Sequence, residues 1–130
     1  MKQYSLPRKE RLRGSIKASS LFHDGNIINE FPLQCKYIIT ESDYDGYEVL
    51  FSVSKKRVKK AVLRNRLRRR IKEAWRLNVA PLRNKLMASS SKMQIGIYYQ
   101  TDDILKYKEI ELKINSIIQR LLQHYEKTCC

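Results

Sequence analysis

Between Lys55 and Arg76 the chain carries twelve lysines and arginines against one acid, Glu73, and yet keeps an apolar residue every three or four positions. The stretch Ala61 to Arg76, AVLRNRLRRRIKEAWR, is the densest part of it. Few conformations satisfy both patterns. At about 100° per residue, a helix from Val58 to Leu77 gathers Leu63, Leu67, Ile71, Ala74 and Trp75 on one side. Asn65, Arg68, Arg69, Lys72 and Arg76 then fall opposite, with Arg64 and Arg70 bordering the apolar stripe. Arg64 and Arg66, roughly 160° apart on the wheel, must touch different things. Such a helix needs a core under its stripe, and Trp75, one turn from Ile71, reads as a core anchor.

The segment holds most of the chain's net charge of +14. Charges of one sign repel and destabilise the compact state unless a polyanion neutralises them, so a polyanionic partner is expected. Membrane is the weaker candidate. No run is apolar and long enough to span a bilayer, and the uncharged face is committed to a core. MKQYSLPRKERLRG at the N-terminus lacks the apolar stretch of a signal peptide, which predicts a cytoplasmic protein.

With 130 residues the chain has the length of one domain and can bury roughly two-thirds of its unfolded surface without a metal or disulfide staple. Pro and Gly number only 3 and 4, and apolar residues make up 42%, so ordered structure is expected nearly end to end, with residues 1–7 and 127–130 fraying. Ser15 to Phe22 reads as a short helix stopped at Asp24-Gly25. Leu33 to Thr40 and Glu48 to Ser54 alternate apolar and polar residues as two half-buried strands, joined in a hairpin across SDYDG. Met93 to Tyr99 is a third strand, and Ile110, Ile114, Ile117, Ile118, Leu121 and Tyr125 mark an amphipathic helix. The predicted order is α-β-β-α-β-α in a single α+β domain.

Residues that could carry chemistry are sparse. Cys35, Cys129 and Cys130 show no metal-ligand spacing, His23 and His124 are isolated, and no serine or cysteine has a nucleophile's setting. Asp43/Asp45 and Asp102/Asp103 read as loop acids rather than a cation site. No catalytic residue, metal site or protein-bound cofactor is predicted. A second basic locus is expected where Ser52-Val53-Ser54-Lys55-Lys56 ends a strand, bringing two lysines and free backbone amides to a helix start.

At FSVSKKRVKKAVLRNRLRRRIKEAWR the sequence resembles the protein subunit of bacterial ribonuclease P. The run Arg64-Asn65-Arg66 is similar to that family's arginine-asparagine-arginine signature, and SVSKK to its usual strand end. The likeness extends to LPRKERLR at 6–13 and to Phe22 and Gly25. Two departures are visible. Leu50-Phe51 and Val58-Lys59 stand where members often carry glycines, and Ala18 stands where an aromatic is common.

The resemblance implies a ribosomal-protein-like sandwich in which the basic helix joins two parallel neighbouring strands by a left-handed crossover, although chirality rules favour the right-handed form in about 98% of cases. It implies a ribonucleoprotein endonuclease that removes the 5′ leader of precursor tRNA. The RNA subunit, using Mg²⁺, cuts the bond, and the protein binds the catalytic RNA and the leader. RNA-binding residues expected on this basis are Lys55, Lys56, Arg64, Asn65, Arg66, Arg68, Arg69, Lys72 and Arg76, with Phe22 and Tyr37 in a leader cleft. A protein that only scaffolds ribosomal RNA fits the composition equally well. A self-sufficient metal nuclease would need a carboxylate cluster that Glu73 alone does not supply.

Overall fold

The structure, a computed structural model, describes residues 15–40, 46–89 and 91–129. The LPRKERLR segment, residues 1–7, the pair Asp43/Asp45 and Cys130 lie outside them. Eight elements follow in order: α1 (Ser15–Asp24), β1 (Asn26–Glu30), β2 (Leu33–Thr40), β3 (Gly46–Val53), α2 (Ala61–Asn78), α3 (Ala80–Ala88), β4 (Lys92–Tyr99) and α4 (Tyr107–Cys129). The expected α+β architecture is present, with one strand and one helix more than the sequence pattern predicts. The last helix continues through residues 127–129, where fraying was expected.

The sheet order is β1-β2-β4-β3. β4 lies between β2, to which it is antiparallel, and β3, to which it is parallel. β3 and β4 are thus the parallel neighbours expected on either side of the basic helix. The hairpin expected across SDYDG does not form, because β2 and β3 are separated by β4. The tight hairpin is instead β1–β2, with Glu30 opposite Leu33 and only Phe31-Pro32, joined by a cis peptide, between them. At the start of β3, Gly46 takes φ 104°, which an L side chain rarely adopts, and its N–H bonds Ser91 O at 3.0 Å.

The two faces of the sheet are treated differently. Cys35 and Tyr37 of β2, Tyr47 and Val49 of β3, and Met93, Ile95, Ile97 and Tyr99 of β4 point to one side, where α2, α3 and α4 complete the core. Ile110, Ile114, Ile117, Ile118, Leu121 and Tyr125 form the buried stripe of α4, at the spacing read from the sequence. The other face is covered by α1, which packs on β2 and β4 with Leu21 fully buried.

α2 begins later than expected. Residues 55–57 form a turn, and the helix starts at Ala61 after an N-cap, Lys60, whose side chain makes no capping bond. It buries Leu67, Ile71, Ala74 and Trp75, with Leu63 half-buried against the same core. Trp75 meets Tyr47 and Phe51 edge to face at centroid distances of 5.5 and 6.3 Å, which bears out its reading as an anchor. Phe51 thus fills, with a ring against Trp75, a place next to SVSKK where the resemblance offers a glycine. At Val79 the backbone stays near-helical, and α3 follows with Pro81 in its first turn, where a missing N–H costs nothing.

Leu67→Ala should lower stability by roughly 2–5 kcal/mol, the range for a fully buried leucine, whereas Arg68→Ala should change it by less than about 0.5 kcal/mol. Urea unfolding of the two variants checks the assignment of faces. The reverse order would refute it.

Candidate nucleic-acid interface

The basic segment begins at the end of β3. Ser54 closes the following turn twice: its carbonyl accepts from Val58 N–H at 2.9 Å and its hydroxyl from Lys56 N–H at 3.1 Å. Lys55, Lys56 and Arg57 are consequently held on an exposed turn. The first turn of α2 contains no acid, so its unpaired N–H groups and the positive end of the helix dipole add to those cations instead of offsetting them.

Along α2 the arginines divide by what they touch. Arg64, half-buried, turns back, and its Nη1 donates to Val58 O at 3.0 Å and Lys59 O at 2.8 Å. It fastens the approach to the helix, while Arg66, on the far side of the wheel, is exposed as the geometry requires. Arg70 donates through Nη1 to Leu105 O and so ties α2 to the β4–α4 connection. Arg76 is paired with Glu73, Nη2 to Oε1, at 2.7 Å.

Asn65, Arg66 and Arg69 are exposed, and Arg68 donates to Asn65 Oδ1 at 2.7 Å, which fixes both groups on one turn. Among the described residues, the side chains of Lys55, Lys56, Arg66, Arg69 and Lys72 have no hydrogen-bond or ion-pair partner. Of the nine residues predicted to bind RNA, Arg64 and Arg76 are therefore turned to the backbone and to Glu73, while Asn65 and Arg68, bonded to each other, join the five unpartnered cations in an outward polar and cationic surface.

The second surface is the α1 side of the sheet. Phe22 lies here, half exposed, with its ring edge-on to Tyr98 at 5.6 Å and to His23 at 5.5 Å. Tyr37 does not join it. Its side chain is buried on the core face, where its hydroxyl and His124 Nδ1 share a hydrogen bond of 2.8 Å. The residues that stand beside Phe22 are Lys36 and Tyr98, which sequence reasoning did not select. Alternation could have found both. Lys36 is adjacent to Tyr37 and so on the opposite face, and the pair Tyr98-Tyr99 sends one ring to each side.

Ser52 is in register with Tyr98, and Tyr98 with Gln34. A polar and aromatic row therefore crosses this face to the end of β3, where Lys55 and Lys56 follow.

Burial, only partly offset by Arg120, pushes the Cys35 thiol far above its ordinary pKa, so it is not a nucleophile. Asp102 and Asp103 are exposed in a loop, and no group of three or more His, Cys, Asp or Glu that could hold a metal ion occurs among the described residues. None of the described helices is long and apolar enough to cross a membrane. What the geometry offers is phosphate binding by lysines, arginine forks and a helix start, beside a partly exposed aromatic.

A family-wide sequence profile described as Ribonuclease P matches residues 6–122. The chain belongs to the ribonuclease P protein family. The curated ribonuclease P protein component of Porphyromonas gingivalis is 28% identical over 119 residues, covering 91% of this chain and 87% of that one. That of Chlorobaculum tepidum is 29% identical over 130 residues, covering 92% and 84%. Two solved structures share the fold. The Staphylococcus aureus ribonuclease P protein superposes with a TM-score of 0.68 at 16% identity, over 86% of this chain and 94% of that one. The Thermotoga maritima ribonuclease P protein gives 0.64 at 18% identity, over 85% and 96%. Membership bears out the resemblance of the arginine-asparagine-arginine helix and decides against a ribosomal scaffold protein. The chain is a ribonuclease P protein component, a tRNA-processing subunit.

Arg69 and Arg70 are neighbours in the signature helix with different duties. Arg70→Ala should lower stability by roughly 1–3 kcal/mol, since it frees a tethered loop and leaves Leu105 O without its charged donor. Arg69→Ala should be within about 0.5 kcal/mol of the parent. Chemical denaturation distinguishes them, and equal losses would contradict the division.

Proposed function

We propose that this protein binds the catalytic RNA of ribonuclease P and the single-stranded 5′ leader of precursor tRNA, and that the RNA subunit performs the cleavage. The observation that carries the reading is the outward surface of Lys55, Lys56, Asn65, Arg66, Arg68, Arg69 and Lys72, in which five cations have no partner among the described residues. Side chains held this way contact phosphates, giving affinity without sequence information. Arg64 contributes indirectly, by holding the backbone from which Lys55 and Lys56 project. Phe22 supplies a face on which an unpaired base of the leader can stack.

Mg²⁺, used by the RNA subunit, supplies charge neutralisation and an activated water in such chemistry. The protein's described residues do not suit a Mg²⁺ site of their own: Glu73, the single acid of the basic segment, is bonded to Arg76. The protein lowers the demand for free Mg²⁺ by bringing fixed cations to the RNA. A left-handed β3–α2–α3–β4 crossover and action in the cytoplasm belong to the same reading.

Precursor tRNA offered to the purified protein, to a bacterial ribonuclease P RNA, and to both together should be cleaved at low Mg²⁺ only by the combination. Cleavage by RNA-free protein would refute the proposal. With the assembled holoenzyme, adding a leader of several nucleotides to a leaderless substrate should steepen the log–log salt slope of binding by about 0.7 per phosphate engaged, or about 3 for four contacts. Arg69→Ala or Lys72→Ala should remove about one contact's worth of that increment. Equal losses on substrates with and without a leader would move these side chains from the leader to the catalytic RNA.

A further inference from the structure

Lys36 is an unusual residue for the middle of a sheet. It lies in the second strand, is only 8% exposed, and has no carboxylate partner among the described residues. A buried ammonium is costly unless its charge is met. Here it is met by α1 and two rings. Nζ donates to the carbonyl of Phe22 at 2.8 Å, sits 3.7 Å from the centroid of the Phe22 ring, and lies 5.6 Å from that of Tyr98.

Phe22 O is one of the last carbonyls of α1, which have no acceptor role within the helix, so Lys36 acts as a C-terminal cap donated from another element. The surroundings are built to this contact. A Cβ on Gly25 would come within 3.1 Å of Lys36 Cβ and 2.6 Å of Leu21 O, so the absence of a side chain there lets the end of α1 settle onto the lysine stem. Gly96 is the cross-strand neighbour of Lys36, and the space a side chain would take there is filled by the Tyr98 ring, 2.8 Å from that Cβ position. Four positions thus combine to hold one aromatic ring over one ammonium, while Phe22 remains 50% exposed.

We infer that Lys36 is a positioning residue for leader binding: its ammonium fixes the backbone and ring of Phe22, so that the exposed part of the ring is a preformed platform for one unpaired base. This rests on the leader-binding reading above. The cation does not itself contact a phosphate, because the helix end and the two rings already occupy it. A ring held beforehand loses less freedom when a base stacks on it, and attraction between the ammonium and the ring face is the restraint that holds it.

The test uses holoenzyme reconstituted with a bacterial ribonuclease P RNA, and precursor tRNA with or without a leader carrying 2-aminopurine. Lys36→Met keeps the stem and removes the charge, and Lys36→Arg keeps a cation. Lys36→Met should weaken binding of the leader-bearing substrate by roughly three- to tenfold, as expected for a lost cation–π contact and charged hydrogen bond, and leave the leaderless substrate unchanged. Quenching of the 2-aminopurine should fall with it, and Lys36→Arg should recover most of both signals.

The salt slope should stay the same in Lys36→Met, and a drop of about 0.7 would show a direct phosphate contact and overturn the positioning role. Phe22→Ala should cause a similar loss, and the double variant should be no worse than Phe22→Ala alone. Additive losses would also overturn the inference. If Phe22→Ala weakens leader binding while Lys36→Met does not, the inference fails and the leader-binding reading stands. If Phe22→Ala has no effect, the leader does not use this face and the inference fails, while the salt slopes of Arg69→Ala and Lys72→Ala decide the leader-binding reading separately. Equal loss on leaderless substrate in Lys36→Met would indicate general destabilisation and also refute the role.

Discussion

The burial of Leu67, Ile71, Ala74 and Trp75 against the sheet decides where every charge on α2 can go. A leucine or isoleucine side chain such as Leu67 or Ile71 contributes roughly 1.5–3 kcal/mol when fully removed from water, and Ala74 less. Repulsion between two exposed charges about 4 Å apart in water is only about 1 kcal/mol, and salt reduces it further. The apolar stripe therefore wins, and the helix forms against the core even though its other side is self-repelling. Once the stripe is fixed, the helical period turns Asn65, Arg66, Arg69 and Arg76 outward and leaves Arg64 and Arg70 at the borders. The two border arginines find acceptors in their own chain, Arg64 in two carbonyls before the helix and Arg70 in Leu105 O, while outward Arg76 pairs with Glu73 on the preceding turn. One run of similar residues thus separates into fasteners and a free surface, and burial of the stripe, not residue type, makes the separation.

The helices and the buried strands were readable because period alone reveals them. α2 and α4 show the three-and-four spacing over many turns, and β2, β3 and β4 are runs of alternating or continuous apolar residues. What period does not reveal is which strand pairs with which. β2 and β3 are adjacent in the chain and separated by turn residues, which reads as a hairpin, yet β4 inserts between them. The hint lay in MQIGIYY, whose near-continuous apolar character suits a central strand covered on both faces better than an edge. β1 escaped notice because only Ile28 of its five residues is buried, so NIINE carries almost no alternation. α3 was hidden by Pro81, which reads as a helix breaker but is harmless in a first turn. Leu82 and Leu86, one turn apart and fully buried, were the contrary signal.

At the site, polar residues on a strongly patterned helix were legible one by one, since the wheel assigns each a direction. Two things were not. The wheel cannot say that a border arginine has an acceptor within reach, because Leu105 O and the carbonyls of Val58 and Lys59 come from outside the helix. On the outer face of the sheet, choosing by residue type favoured Tyr37, while choosing by parity would have favoured Lys36. Strand alternation is strict, so parity was the better guide wherever the inward set was already known from Leu33 and Cys35.

The contiguity of the basic segment has a geometric reason in this fold. The two polar surfaces use different chemistry, one an array of cations on α2 and the other an aromatic and a buried ammonium on the α1 side of the sheet. They meet where β3 ends, because Ser52 borders Tyr98 on the outer face and the chain then turns at Ser54 toward the start of α2. Strand end, turn and helix are the shortest covalent path between the two. Cations placed along that path line the boundary between surfaces as well as the helix itself, with no gap that a neutral loop would leave. Spread over distant loops, the same charges would depend on several independent backbone segments being ordered, each at an entropic cost of roughly 1–2 kcal/mol per residue. Carried on one strand-turn-helix unit, they are ordered by the burial of Val53 before them and Leu67 after them, and the core that fixes the fold fixes the spacing of the charges.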